Sequence, residues 1–398
     1  MKKGMILTLS ILTMLVVSGM SLWASGKADD GVAKSAKEQW VKANQLGTYY
    51  EKTQDWAAIE AAAKAEGSVI VYANTSKIAK AVKIWEKKYP EIKIEGYDLG
   101  GDDVLAKTLG EQQANLFVGD VWFCSGGAEL VGTVLPKEYV WRFVPDSIAD
   151  KIDPAFAEPL LFSRFGTSVW AYNSELNKAS PISNIWELTE PKWKGKVVIE
   201  TPLNDASTMS KFLTYVYHAD EMKAAYVKRY GKQPVLDADT PDAGWLWFKR
   251  FAQNAPISQP GGDEVDSAFA TPGMKESYLA FTSYSNYADV LEGALAFEPC
   301  WGLEPKLGIQ SQSYSAIINQ APHPNAAKLF IKFINSPEGR APWAQYGTYF
   351  PDPTYVVPKG QMPLKEMFDV TWFIAEKFAY DNLVQARDFY LLNLGNPK

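Results

Sequence analysis

The sequence predicts an α/β protein of two lobes, each a mostly parallel sheet flanked by helices. Three observations carry this. Short apolar strands alternate with helical patterns through short polar turns, which is the signature of parallel packing. The alternation runs over about 68–123 and resumes from about 170 to 300. Once an N-terminal leader is set aside, about 370 residues remain, too many for one ordinary core and enough for two.

The chain opens MKKGMILTLSILTMLVVSGMSLWASGKADD. Lys2 and Lys3 precede an almost unbroken apolar stretch from Met5 to Met20, and Ala24-Ser25-Gly26 supplies small residues for cleavage. Residues 1–26 read as a secretory signal. The alternative is a membrane anchor, against which the polar sequence after it argues. Residues 27–55 read as a polar tether and a short helix. Asp55 can cap a helix over 56–66 that closes at Gly67. A strand at 68–72 ends in Ala73-Asn74-Thr75-Ser76. Ala79, Val82 and Trp85 then recur at helical spacing over 78–89, and Pro90 ends that run. A strand at 92–97 leads through Gly100-Gly101 to a helix at 104–115. The third strand, 118–123, runs into Cys124-Ser125-Gly126-Gly127, a turn with an exposed look.

Residues 165–175 read as a strand and turn, and 196–200 as another strand. TPLNDAST then repeats the pattern of strand end, polar turn and amphipathic helix from about Ser207. Segments 259–263 and 270–273 read as loops. TPGMKESY suggests a short helix before a strand at 278–282 and a turn at 283–286. A strand at 314–318 precedes a clear helix over 325–335, started by Pro324 and Asn325 and stopped by Ser336-Pro337. The tail to Lys398 reads as mostly helical.

A net charge of −6 argues against a nucleic-acid partner, and two histidines are too few for a histidine-rich metal cage. The 14 Trp and 20 Tyr can fill a large core, line a cleft, or do both. Cys124 and Cys300 could pair in an exported protein, although spacing alone does not say that they meet. The sequence has no Gly-x-Ser-x-Gly elbow, His-Glu-x-x-His, Walker loop or Cys-x-x-Cys pair, and so gives no support for an enzyme. Cys124 could have a lowered thiol pKa at a helix N-terminus, but the blander reading is a small residue filling a turn.

Several stretches together carry a family resemblance: EGSVIVYANTS, WEKKYPEIKIEGY, GDVWFCSGG, VWAYNSEL, IWELTEPKWKGKVVIETP and PNAAKLFIKFINSPEG. The chain resembles the bacterial extracellular solute-binding proteins of ABC importers, of type II periplasmic-binding fold, in the ferric-iron-like and organic-anion-like branch. The resemblance covers roughly 66–350 and implies two lobes joined by two hinge strands, crossing near 165–172 and returning near 307–314. Lobe one would comprise 56–168 plus about 308–398, and lobe two 169–307. The implied function is capture of a small solute in the cleft and delivery to permease and ATPase subunits of the inner membrane. The protein would be a periplasmic monomer with no cofactor; ferric ion would be cargo. A ligand-presenting sensor subunit for a membrane kinase is the alternative, and an exported enzyme a further one.

Ligands of such sheets bind beyond the carboxyl ends of the strands. The candidate contacts are therefore Asn74, Thr75 and Ser76; Cys124, Ser125, Gly126 and Gly127; Asn204, Asp205, Ala206, Ser207 and Thr208; and Tyr284, Ser285 and Tyr287. Each hydroxyl or amide could equally be an ordinary helix cap, and a cap can serve both purposes. Family members that bind iron use two adjacent tyrosines in the last of these loops. Here Tyr284 and Tyr287 are split by Ser285-Asn286, so they are metal ligands only if ferric ion is the solute. Arg164 or Lys77 could supply an additional positive group, although the sequence places neither in the cleft.

Overall fold

A computed structural model describes residues 36–203 and 205–396; the expected signal at 1–26, the start of the 27–55 segment, and Asn204 lie outside the described residues. A helix at 36–43 leads to α1 (Trp56–Glu66), which starts where Asp55 accepts from the Ala58 amide at 3.0 Å and stops at Gly67. Then come β1 (Ser68–Ala73), α2 (Ile78–Lys88), β2 (Lys93–Asp98), α3 (Gly101–Gln113) and β3 (Val121–Ser125). β1 lies between β2 and β3 and is parallel to both, so all three carboxyl ends point to one rim.

After the two-residue β4 (Val140–Trp141), the long β5 (Leu161–Asn173) leaves this ladder. A second ladder follows from β6 (Val197–Glu200), α4 (Ala206–Tyr217), α5 (Ala219–Tyr230), α6 (Ala243–Gln253), β7 (Ile257–Gln259), α7 (Gly262–Ala270) and β8 (Leu279–Ser283). β6 is parallel to β7 and β8. Past β9 (Phe297–Pro299), β10 (Gly308–Ile318) returns antiparallel to β5 and β3. The chain ends with α8 (Pro324–Ile334), β11 (Thr348–Tyr349), α9 (Leu364–Val370), β12 (Thr371–Phe373) and α10 (Glu376–Asn393). The sheet order is β2-β1-β3-β10-β5-β8-β6-β7, so β5 and β10 are the antiparallel pair joining two parallel ladders. The segments expected to cross, 165–172 and 307–314, fall within or at the start of these two strands. They pair from Gly308 opposite Val169 to Gln312 opposite Phe165.

The aromatic residues fill the core. On the first ladder Trp85, Phe123, Phe330 and Phe333 are buried with Val71, Ile78 and Val121. On the second, Trp170, Phe212, Trp247, Phe251 and Phe281 form a chain of ring contacts. α8 is capped from outside: the Glu66 carboxylate accepts from the Asn325 and Ala326 amides at 3.1 and 2.8 Å.

Three local expectations differ from the structure. No helix forms over 271–278, because Gly273 takes φ 80° after Pro272 and its amide donates to Glu175 at 2.6 Å. The glycines at 261–262 are not a loop but the N-cap and first residue of α7. β3 does not stop at Phe123; it runs on through Cys124 and Ser125, which pair with Tyr314 and Ser313 of β10.

Candidate functional site

The turns after β1 and β3 are tied together. Ser125 donates its amide to Asn74 Oδ1 at 3.0 Å, and Asn74 Nδ2 donates to Ser125 Oγ at 2.9 Å. β1 and β3 are parallel neighbours, with Ala73 opposite Phe123, so both residues lie just past the same edge. Gly126 then takes φ 97°, a left-handed value that turns the chain into Gly127–Glu129. Gly127 has a different requirement. A Cβ there would lie 1.9 Å from Glu376 Oε1 at the start of α10, so only a bare backbone fits.

Across from these turns, Asp205 caps α4. Its carboxylate accepts from the Ser207 amide at 2.9 Å, the Thr208 amide at 3.1 Å and Thr208 Oγ1 at 2.7 Å. The cap reading thus holds for Asp205, which occupies the amides an anionic ligand would otherwise use. Even so, Asp205, Ala206 and Ser207 share one cavity of about 240 Å³ with Asn74, Ser125, Gly126 and Gly127. Seven of the candidate contacts, drawn from both ladders, therefore meet in one space.

Other residues of that space had no single-position signal. Asp102 lies in the first turn of α3, just past the Gly100-Gly101 turn legible in sequence. Trp122 and Glu129 flank the β3 turn, and Ser210 is one helical turn past Ala206. Ile374 and Leu383 arrive from a segment about 250 positions downstream, which no local pattern could foretell. Asp102, Glu129 and Asp205 make the lining acidic, while Trp122 contributes an indole whose buried Nε1 has no acceptor among the described residues.

The remaining candidates do not line the cavity. Thr75 Oγ1 accepts from Trp343 Nε1 at 3.2 Å, and Ser76 is exposed. Thr208 is buried and also donates to Glu200 at 3.1 Å. Cys124 is not in an exposed turn but inside β3, 2% exposed, its thiol donating to the Ser125 carbonyl at 3.0 Å. Burial pushes that thiol up to about 12, against the lowering a helix N-terminus would cause. Cys300 is also buried, pushed up to about 12 by burial, and both thiols are free.

The tyrosine loop is likewise occupied. Tyr284 is 2% exposed and donates to Tyr346 Oη at 3.2 Å; Tyr287 donates to Glu298 Oε1 at 2.6 Å. Burial and these neighbours raise both phenols well above their ordinary range. Ser285 bonds to Ser283 and Asn286. Among the described residues no cluster of three His, Cys, Asp or Glu is arranged to hold a metal.

Behind Gly127 lies a buried carboxyl. Tyr314 donates its hydroxyl to Glu376 Oε2 at 2.5 Å, while Oε1 has no partner among the described residues. Burial pushes Glu376 up to about 7.

Two parallel ladders, a joining strand pair and a cavity between strand-end turns define a ligand receptor. The model of the bacterial extracellular solute-binding proteins matches residues 160–365, and the chain belongs to that family. It is the substrate-binding component of an ABC importer, a binding protein rather than an enzyme; it acts outside the cytoplasm and partners the importer's permease and ATPase subunits. No curated protein matches the chain. Among solved structures, iron-bound HitA from Pseudomonas aeruginosa is similar at TM-score 0.63 and 16% identity, over 81% of this chain and 99% of that one. AfuA from Actinobacillus pleuropneumoniae, with fructose-6-phosphate bound, is similar at TM-score 0.59 and 19% identity, over 83% and 99%. The Trichodesmium protein IdiA (FutA), with iron and citrate, is similar at TM-score 0.56 and 16% identity, over 82% and 99%. At such identities the likeness establishes the type II periplasmic-binding fold. No helix among the described residues is long and apolar enough to cross a membrane.

Proposed function

We propose that the chain captures a small polar organic solute between its two ladders and presents it to the permease. The supporting observation is the convergence of the Asn74, Ser125–Gly127 and Asp205–Ser207 turns on one cavity of about 240 Å³. That volume is slightly below the usual range for drug-sized ligands, which fits a small solute. Asp102 and Glu129 suit hydroxyl or amino donors on the solute, and the orphan Trp122 Nε1 suits an acceptor. β5 and β10 serve as the hinge, and contacts from both sides favour the closed form by differential binding. The receptor acts as a periplasmic monomer after removal of residues 1–26.

The organic reading is preferred to ferric ion because both phenols of the 284–287 loop are hydrogen-bonded, protonated groups. Ferric binding would have to strip both protons at a cost that burial has increased. A thermal-shift screen of sugar phosphates, amino acids and ferric citrate separates the readings. At a hundredfold excess over Kd a ligand adds about 2.7 kcal/mol, which moves the midpoint by about 3–4 °C in a chain of this size. An organic hit in a colourless protein is expected. A visible tyrosinate band with ferric citrate, lost in Tyr284→Phe, would restore iron.

A further inference from the structure

One wall of the cavity comes from neither parallel ladder. Ile374 and Leu383 line it, and both belong to the segment that ends the chain. That segment is rooted on the hinge. β12 runs parallel to β10, from Thr371 opposite Gly308 to Phe373 opposite Gln310, and the Ile374 amide donates to the Gln310 carbonyl at 3.1 Å. α10 then runs between the two ladders and touches both.

Toward ladder one, α10 is seated on bare backbone. Glu376, Tyr380 and Leu383 are spaced by four and three positions, so they share one face of the helix. Two glycines past β3 meet that face. A Cβ at Gly127 would lie 1.9 Å from Glu376 Oε1, and one at Gly132 would lie 2.2 Å from Tyr380 Cγ. Thr133 Oγ1 donates to the Tyr380 hydroxyl at 3.1 Å. The segment that receives the ring, Leu130–Val134, is wound as a π-helix, with the Leu135 amide donating to the Leu130 carbonyl at 2.9 Å. Such wide turns are rare and concentrate at functional sites. Toward ladder two, α10 is held along its length. Ring centroids lie 5.4 Å apart for Phe378 and Tyr217 of α4, 5.0 Å for Phe389 and Trp245 of α6, and 5.6 Å for Tyr390 and Phe248 of α6. The Ala375 amide donates to Thr214 Oγ1 of α4 at 3.2 Å, and the Gly395 amide to the Ala252 carbonyl of α6 at 3.0 Å.

The two attachments differ in kind. Interlocked rings and two amide hydrogen bonds tie α10 to ladder two, whereas ladder one meets two side chains seated on glycines. A swing about β5 and β10 therefore carries α10 with ladder two and lifts Tyr380 off Gly132. Lifting returns the face of that ring to water, so the seated position is favoured. Resting on the reading of β5 and β10 as a hinge, we infer that α10 is a strap. It rides on ladder two, seats Tyr380 on Gly132 of ladder one, and fixes the spacing of the ladders across the cavity before any solute arrives. A receptor held at its binding spacing loses less freedom when it captures a solute, and the wall at Ile374 and Leu383 stays opposite the turns it faces.

The test is a distance between the ladders, measured on the full mature chain without solute. Lys83 of α2 and Lys223 of α5 are exposed helical positions, one on each ladder. Lys83→Cys and Lys223→Cys accept spin labels, while the buried native thiols of Cys124 and Cys300 stay unlabelled. Double electron–electron resonance gives one narrow distance distribution in this background. Tyr380→Ala lengthens and broadens it. Gly132→Ala, which drives a methyl into the ring, does the same, and Tyr380→Phe, which keeps the ring, leaves it narrow. A broad distribution before any change at 132 or 380 overturns the strap. So do folded Tyr380→Ala and Gly132→Ala variants that lose thermal stability yet keep the narrow distance. Neither result touches solute capture, which stands or falls on calorimetry.

Discussion

Glu376→Gln turns the packing behind the site into a pH measurement. In the native chain this carboxyl sits under Gly127, accepts from Tyr314, and is pushed up to about 7 by burial. A group whose folded pKa is raised binds its proton more tightly in the folded state. Its stabilising effect is therefore complete below the unfolded value near 4.5 and is lost as pH rises through about 7. The interval corresponds to about 3 kcal/mol, undiminished by solvent because Glu376 is 8% exposed. Glutamine keeps the acceptor for Tyr314 and places a neutral amide where the protonated acid has its hydroxyl. Urea unfolding followed by tryptophan fluorescence should show nearly equal midpoints at about pH 4. At pH 8 the variant should be more stable by about 2–3 kcal/mol. A difference that is the same at both pH values, or a variant less stable at pH 8, would refute the reasoning.

The other predictions concern the same turns. Gly127→Ala drives a methyl to within 1.9 Å of Glu376 Oε1 and should cost about 1–3 kcal/mol in the same urea assay. Asn74→Ala strands the Ser125 amide and should lower stability by about 1–3 kcal/mol while weakening solute binding about tenfold, read by calorimetry. A thiol reagent at pH 8 should leave the folded protein untouched and label both Cys124 and Cys300 in denaturant, because burial holds both thiols up near 12.

Much of the fold was legible because local signals and tertiary contacts agree. The Asp55 cap and Gly67 stop define α1 to its last residue, and α8 is displaced by one position from the expected 325–335. The rim itself was legible too, since each turn follows a strand whose parallel pairing fixes where its end points. What failed were side-chain directions. Cys124 looked exposed because a glycine turn follows it, yet β10 pairs with it and buries it. Thr208 and Tyr284 lie in the loops expected but face inward to Asp205 and Tyr346, away from the cavity, through contacts that no spacing encodes. Arg164 lay unplaced until register set it opposite Ser313.

The central claim is reversible capture of a small organic solute by the turns of both ladders, and it is tested most directly by titration calorimetry with the solute that raises the thermal midpoint. One-to-one binding without turnover, weakened by Asn74→Ala on the first ladder and by Ser207→Ala on the second, is the predicted result. Binding indifferent to both substitutions, or conversion of the solute to a product, would contradict it.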